Sequence, residues 1–144
     1  MVPETPAHCS IVVESKPSAL DTFCEPLLQA LRDNQYTEDD VFGVHLAVEE
    51  AFHNAVEHGN DKDPTKKVNV EYTVNPEKLV INITDEGEGF NPGDVPDPRV
   101  GDNLYRPNGR GLLLINAYMD EVSYNERGNC VTMIRFRERP QASD

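Results

Sequence analysis

The sequence predicts an α+β fold: a two-layer sandwich in which helices cover one face of a mainly antiparallel, mixed sheet. Three observations lead to this prediction. Apolar residues recur at helical spacing in two segments of the first half. Apolar and polar residues alternate in strand-like segments of the second half. Short turn sequences join those strands in pairs, which gives the element order β-α-α-β-β-loop-α-β-β.

The first strand is predicted at residues 8–14, around the apolar run 11–13. A helix follows, for which Ser18 is the candidate N-cap. Pro26 lies inside the helical pattern, so it either kinks the helix or marks the start of its regular part. The predicted buried face consists of Leu20, Phe23, Leu27, Leu28 and Leu31.

The second helix is predicted to begin with a capping box, in which Thr37 is the N-cap and Asp40 takes the acidic position. Gly59 is expected to end this helix as a C′ residue. The predicted buried stripe consists of Val44, Ala47, Val48, Ala51, Phe52 and Ala55.

A hairpin is predicted next, with strands at residues 67–74 and 79–84 and a turn at 75–78. The segment 86–108 then contains four prolines, Pro92, Pro96, Pro98 and Pro107. A loop of this length in a small domain is usually functional or mobile.

The last part of the chain predicts a short apolar helix over residues 111–119 and a second hairpin. Its strands are placed at 121–127 and 130–136, around the turn Gly128-Asn129.

Length and charge narrow the classes of function. The 144 residues predict one domain at 8–136, between flexible segments at 1–7 and 137–144. The formal net charge of −13 disfavours direct binding to nucleic acids or anionic membranes. The sequence shows neither a signal-peptide pattern nor an apolar run of membrane length, so a cytoplasmic location is expected. The three cysteines form no CxxC pair and are expected as free thiols.

The first candidate cluster lies on the second helix, over residues 49–58. Glu50 and Asn54 are four residues apart, which places their side chains on one face, roughly 6 Å apart at Cβ. An amide oxygen at Asn54 can ligate Mg²⁺. A carboxylate at Glu50 can accept a proton from a hydroxyl group beside that metal. The alternative is an ordinary solvated helix face.

The second cluster spans Asp85 to Phe90 and follows a buried strand. An aspartate there can accept a hydrogen bond from an exocyclic amino group such as that of adenine. Gly87 and Gly89 allow the backbone to approach a flat ligand closely. The alternative is a turn whose glycines adopt positive φ angles.

The third cluster, residues 108–114, is a glycine-rich loop that opens a helix. Free amides and the positive end of the helix dipole favour phosphate binding there. Arg99, Arg106 and Arg110 add positive charge in or beside the loop of an otherwise acidic chain. The alternative is a flexible hinge before a helix.

In this order, the three clusters resemble the N, G1 and G2 boxes of the GHKL (Bergerat-fold) ATPases. The N box is matched by residues 50–54 (EAFHN), G1 by 85–90 (DEGEGF) and G2 by 109–112 (GRGL). Residues 109–122 and His58-Gly59 are similar to the anti-sigma factor serine/threonine kinases of that family.

The resemblance implies ATP and Mg²⁺ as cofactors. Glu50 would be the catalytic base, Asn54 would bind Mg²⁺, and Asp85 would recognise adenine. Arg106 or Arg110 would contact the γ-phosphate, with residues 91–108 as a lid. The residues implied in nucleotide binding are Asn54, Asp85, Gly87, Gly89, Arg106, Gly109, Arg110, Gly111 and Leu112.

The resemblance also implies a function, that of an ATP-dependent serine/threonine protein kinase acting as an anti-sigma regulatory factor. Such a protein would phosphorylate a STAS-type anti-anti-sigma protein, sequester a sigma factor and work as a homodimer. The main alternative is a nucleotide-dependent protein-binding module without useful kinase activity. A scaffold whose glycines are all structural is a third possibility. The histidines and cysteines do not have the spacing of a zinc site.

Overall fold

The computed structural model describes residues 6–87, 115–126 and 128–137. A 3₁₀ turn (Pro17–Ala19) precedes the first helix, a π-helical turn (Ala55–Gly59) extends the second, and residues 115–118 are helical. The regular elements are β1 (Ala7–Glu14), α1 (Leu20–Asp33), α2 (Glu38–Asn54), β2 (Lys67–Val74), β3 (Lys78–Asp85), β4 (Glu121–Tyr124) and β5 (Cys130–Phe136).

The five strands form one sheet in the order β1-β2-β3-β5-β4. Each neighbouring pair is antiparallel, so the described strands contain no parallel pairing and the sheet is antiparallel rather than mixed. The predicted α+β class with a mainly antiparallel sheet is confirmed. Strand β3 lies at the centre, which places its last residue, Asp85, between the ends of two neighbouring strands.

The core lies between the helices and one face of the sheet. Alternate residues of β2 and β3 point into it, as the strand period of two requires. The rings of Phe23 on α1 and Phe52 on α2 meet there with centroids 5.4 Å apart. The buried strand residues are Val68, Val70, Tyr72, Val74, Leu79, Ile81 and Ile83.

Helix α1 differs from its prediction at two residues. Ser18 lies inside the 3₁₀ turn, and the N-cap position of α1 belongs to Ala19, whose side chain makes no capping bond. The regular helix starts at Leu20 and runs through Pro26, so the proline does not mark its beginning. Pro26 is exposed, and the apolar face around it buries Phe23, Leu27, Leu28 and Leu31.

The capping box of α2 is confirmed. The Asp40 amide donates to Thr37 Oγ1 at 3.1 Å, and the Thr37 amide donates to Asp40 Oδ2 at 3.4 Å. Asp40 also forms a buried ion pair with Arg135 of β5 at 2.5 Å. The same arginine donates to the Tyr118 carbonyl. The N-terminus of α2 is therefore attached to the sheet by a charge pair, while its predicted apolar stripe is buried in full.

The C-terminus of α2 was predicted incorrectly. The helix continues past Asn54 as the π-helical turn, and the chain first enters the left-handed region at Asp61 (φ 52°) and Lys62 (φ 61°). Gly59 is therefore the last residue of the π-helical turn and not a left-handed C′ residue. Its lack of a side chain serves a different purpose, described below.

The two hairpins show how asparagine side chains shape turns. Asn75 Oδ1 accepts the amides of Glu77 and Lys78, which confirms the turn between β2 and β3. In the second hairpin Asn125 Oδ1 accepts the amide of Gly128 at 2.7 Å, and Gly128 has φ 79°. This capping ends β4 at Tyr124, three residues before its predicted end, whereas β5 has its predicted bounds.

Candidate functional site

The last two turns of α2 carry the candidate base and the candidate metal ligand. Glu50 and Asn54 are both half-buried, whereas their neighbours Glu49 and His53 are exposed. Residues four apart share a helix face, so the face that carries Glu50 and Asn54 is partly covered and not fully solvated. In the described residues no group of three or more His, Cys, Asp or Glu side chains is placed to hold a metal ion. Mg²⁺ commonly takes only one or two ligands from a protein and the rest from phosphate oxygens and water, so a single oxygen at Asn54 suits it.

The π-helical turn follows Asn54 directly. The Asn60 amide donates to the Ala55 carbonyl, five residues back, at 2.7 Å, which is the hydrogen bond that defines a π turn. Such widened turns occur mostly as short bulges and frequently at functional sites. Here the turn carries the chain from the helix toward the end of β3.

At the end of β3, Asp85 is held by hydrogen bonds to Asn129 and to Gly87. Its amide donates to the Asn129 carbonyl at 2.9 Å, and Asn129 Nδ2 donates back to the Asp85 carbonyl at 3.1 Å. Its carboxylate accepts the amide of Gly87 at 2.8 Å through Oδ1. The backbone and one carboxylate oxygen are therefore fixed before any ligand arrives, which reduces the entropy that ordering this group would otherwise cost.

Two glycines bring Asp85 and the end of α2 into contact. A Cβ atom at Gly59 would overlap with the Asp85 carboxylate, and a Cβ atom at Gly87 would overlap with the Gly59 carbonyl. Gly128 is the one described glycine with a positive φ, so close approach rather than left-handed backbone accounts for the glycine at position 87. The π-helical turn that follows the first sequence cluster therefore contacts the second cluster through Gly59.

The remaining predicted site residues lie outside the described residues. They are Gly89, Arg106, Gly109, Arg110, Gly111 and Leu112. Their assignment to adenine and phosphate binding stays a prediction from the sequence.

Asn60 was not predicted as a site residue, yet it is 0% exposed and donates to Ser15 and to the backbone of Lys67. Its signal in the sequence is weak. Asparagine is common after a helix end, and its neighbours Asp61 and Lys62 are charged and exposed, which suggests a surface loop. Only the fold shows that this one polar side chain points inward.

The chemistry of the described groups fits an adenine nucleotide with Mg²⁺. An aspartate whose carboxylate is held by a neighbouring backbone amide offers an acceptor for an exocyclic amino group. The carboxamide of Asn54 and the carboxylate of Glu50 offer oxygen atoms one helical turn apart, which suit a hard cation and a proton acceptor.

Comparison with protein families matches residues 13–135 to the histidine kinase-like ATPase domain. The chain belongs to this family. Membership confirms the resemblance to the GHKL ATPases, and the matched range includes the end of α2 and the end of β3.

Within the histidine kinase-like ATPases, the chain is similar to the serine-protein kinase RsbW of Bacillus licheniformis. The two are 34% identical over 119 residues, which is 76% of this chain and 72% of that relative. The serine-protein kinase RsbW of Staphylococcus aureus strain MRSA252 is 31% identical over 114 residues, or 73% of this chain and 71% of the relative.

A solved structure supports the fold. The chain superposes on the RsbU and RsbW domains of a Mycobacterium tuberculosis protein with a TM-score of 0.61 and 20% sequence identity. The match covers 96% of this chain and 34% of that longer chain. At this identity the comparison shows that the ATPase-like fold is shared.

Proposed function

We propose that this protein is an ATP-dependent serine/threonine protein kinase that acts as an anti-sigma regulatory factor. The observation that carries the proposal is the contact between Gly59 and Asp85, which joins the π-helical turn directly after Asn54 to the end of β3. The similarity to two serine-protein kinases over about three quarters of the chain supports the same reaction class.

Each described residue has a task in that reaction. Asp85 accepts a hydrogen bond from the adenine amino group and so orients the nucleotide. Asn54 would hold Mg²⁺ through its side-chain oxygen, and the cation would supply charge neutralisation at the phosphates. Glu50 accepts the hydroxyl proton of the substrate serine. The serine oxygen forms a bond to the γ-phosphorus, and ADP departs with the electrons of the broken P–O bond. Phosphoryl transfer depends mainly on such positioning and charge neutralisation.

The proposed protein substrate is a STAS-type anti-anti-sigma protein, and the proposed binding partner is a sigma factor. The formal charge of −13 favours partners with a basic surface. We propose a homodimer as the working unit. Within the described ranges, no helix combines the length and the apolar character needed to cross a membrane.

The test measures transfer of the labelled γ-phosphate of ATP to STAS proteins encoded beside this gene. In the Glu50→Gln variant, ATP binding measured by calorimetry is expected to stay close to that of the unmodified protein. The transfer rate is expected to fall by about 10²- to 10⁴-fold, because the serine proton loses its acceptor.

Glu49→Gln is the matched control, since it removes the same charge from the adjacent, exposed position. It is expected to keep both binding and transfer. Full phosphotransfer in Glu50→Gln would refute the base assignment. ATP binding without transfer in the unmodified protein would instead favour the nucleotide-dependent binding module.

A further inference from the structure

Asn60 lies where three strand ends meet. Ser15 follows β1, Lys67 begins β2 and Glu86 follows β3, and all three contact the Asn60 side chain. The side chain is 0% exposed, although the next two residues are at the surface. A buried carboxamide is costly unless its polar atoms are paired, so its partners define its role.

The Asn60 carboxamide is paired on both sides. Nδ2 donates to Ser15 Oγ at 3.0 Å and to the Lys67 carbonyl at 2.9 Å. Oδ1 accepts the Glu86 amide at 2.7 Å. The two donor bonds hold Asn60 to the start of β2 and the end of β1, while the single acceptor bond reaches the residue after Asp85.

The hydrogen bond from the Glu86 amide to Asn60 connects Asn60 to the candidate adenine site at Asp85. The Asn60 backbone amide closes the π-helical turn on Ala55, so the residue is fixed to α2 as well as to the sheet. Glu86 is held a second time by its carboxylate, which accepts the Lys67 amide. The next amide, that of Gly87, donates to the Asp85 carboxylate at 2.8 Å. The position of the adenine-recognising carboxylate therefore depends on a short turn that Asn60 anchors.

We propose that Asn60 is a positioning residue for adenine recognition, acting through the Glu86 amide on the orientation of the Asp85 carboxylate. This inference rests on the proposed function, because it assigns Asp85 to adenine. It adds a selectivity role for a residue that does not itself touch the nucleotide. The signature of such a role is a change in the preference for ATP over GTP and not merely a loss of stability.

Two variants distinguish the effect of the hydrogen bond accepted by Asn60 Oδ1 from the effect of the two bonds donated by Asn60 Nδ2. Asn60→Ala removes all three, whereas Asn60→Asp keeps an oxygen for the Glu86 amide and loses both donors. Calorimetry with ATP and with GTP is carried out where circular dichroism shows each variant folded. Asn60→Ala is expected to lower the ATP-over-GTP preference about tenfold, the size of one lost buried hydrogen bond. Asn60→Asp is expected to keep most of that preference.

Ser15→Ala is the matched control, because it removes one of the two acceptors of Asn60 Nδ2 and leaves the Glu86 bond in place. It is expected to reduce stability without changing nucleotide preference. Equal preference in Asn60→Ala and the unmodified protein would overturn the proposal, and so would equal losses in the Ala and Asp variants.

Amide hydrogen exchange measured on the unmodified protein tests the proposal without requiring that a variant folds. Saturation with ATP is expected to slow exchange of the Glu86 amide about tenfold or more, because ligand binding and turn ordering are linked reciprocally. Exchange that ATP leaves unchanged would overturn the role of Asn60. Asp85→Asn separates this failure from failure of the proposed function: if that variant also keeps its preference for ATP, the assignment of adenine to Asp85 is wrong.

Discussion

The buried ion pair between Asp40 and Arg135 gives a prediction whose size follows from the structure. Their side chains are 9% and 7% exposed, and the nitrogen–oxygen distance is 2.5 Å. Arg135→Met removes the guanidinium group and leaves a buried carboxylate without a counter-charge. It also removes the donor to the Tyr118 carbonyl. Breaking one side of such a pair costs about 3–5 kcal/mol.

That loss is large against a total stability of about 5–15 kcal/mol for a domain. At this chain length each kcal/mol lowers the melting temperature by about 2–4 °C, so a fall of about 6–20 °C is expected. Urea unfolding followed by circular dichroism measures the loss directly, with an unchanged m-value as the check that the unfolded and folded states remain comparable.

Arg32→Met is the matched control. Arg32 makes two hydrogen bonds to Glu38, at 3.1 and 3.2 Å, but the two side chains are 41% and 73% exposed. Water already solvates this pair, so its loss is expected to have a much smaller effect. Equal destabilisation by the two substitutions would refute the argument that burial makes the Arg135 pair important.

A second variant tests the cause. In Asp40→Asn combined with Arg135→Met, the buried charge is gone while an oxygen remains to accept the Thr37 amide. This double variant is expected to be more stable than Arg135→Met alone, because the penalty comes from the uncompensated carboxylate. A double variant that is less stable than the single one would point to lost packing instead.

Two further predictions concern the site and the core. Gly59→Ala places a Cβ atom on the Asp85 carboxylate and is expected to weaken ATP binding about tenfold or more in a folded protein. Gly43→Ala, whose Cβ would lie 3.0 Å from the Tyr118 ring, is the control. Unchanged ATP affinity in Gly59→Ala would contradict the close approach of Gly59 and Asp85. Burial raises the pKa of the Cys24 thiol from 9.0 to about 12, with smaller contributions from Glu25, Glu49 and Asp21. Alkylation of Cys24 at pH 8 is expected to be about 1,000-fold slower in the folded than in the unfolded protein, and stability should fall as pH rises above about 9, because the unfolded thiol ionises first. Equal alkylation rates in native and urea-unfolded protein would show that the thiol is accessible.

The sequence by itself determined the element types, the fold class and the family. The periodicity of apolar residues was sufficient to predict α2 and the first hairpin. Each of these elements buries one face, and burial imposes a regular apolar pattern on a helix or strand. The capping box at Thr37 and the turn at Asn75 were equally readable, since both are made of contacts between residues at most three positions apart.

Local pattern failed where contacts distant in sequence decide the outcome. Ser18 has the chemistry of an N-cap, yet a 3₁₀ turn occupies its position. Glycine commonly ends helices, yet Gly59 is the last residue of a π-helical turn, and the Asp85 carboxylate occupies the position that a Cβ atom at residue 59 would take. The contact between Gly59 and Asp85 cannot be read from a window of neighbouring residues.

The tertiary structure alone decided how the site is assembled. It brought Gly59 against Asp85 across 26 positions of sequence, and it turned the Asn60 side chain inward to three strand ends. The physical reason is that a periodic pattern records whether a residue is buried and not which residue it meets. Sheet register and the path of the π-helical turn fix those meetings, and they belong to the folded chain as a whole.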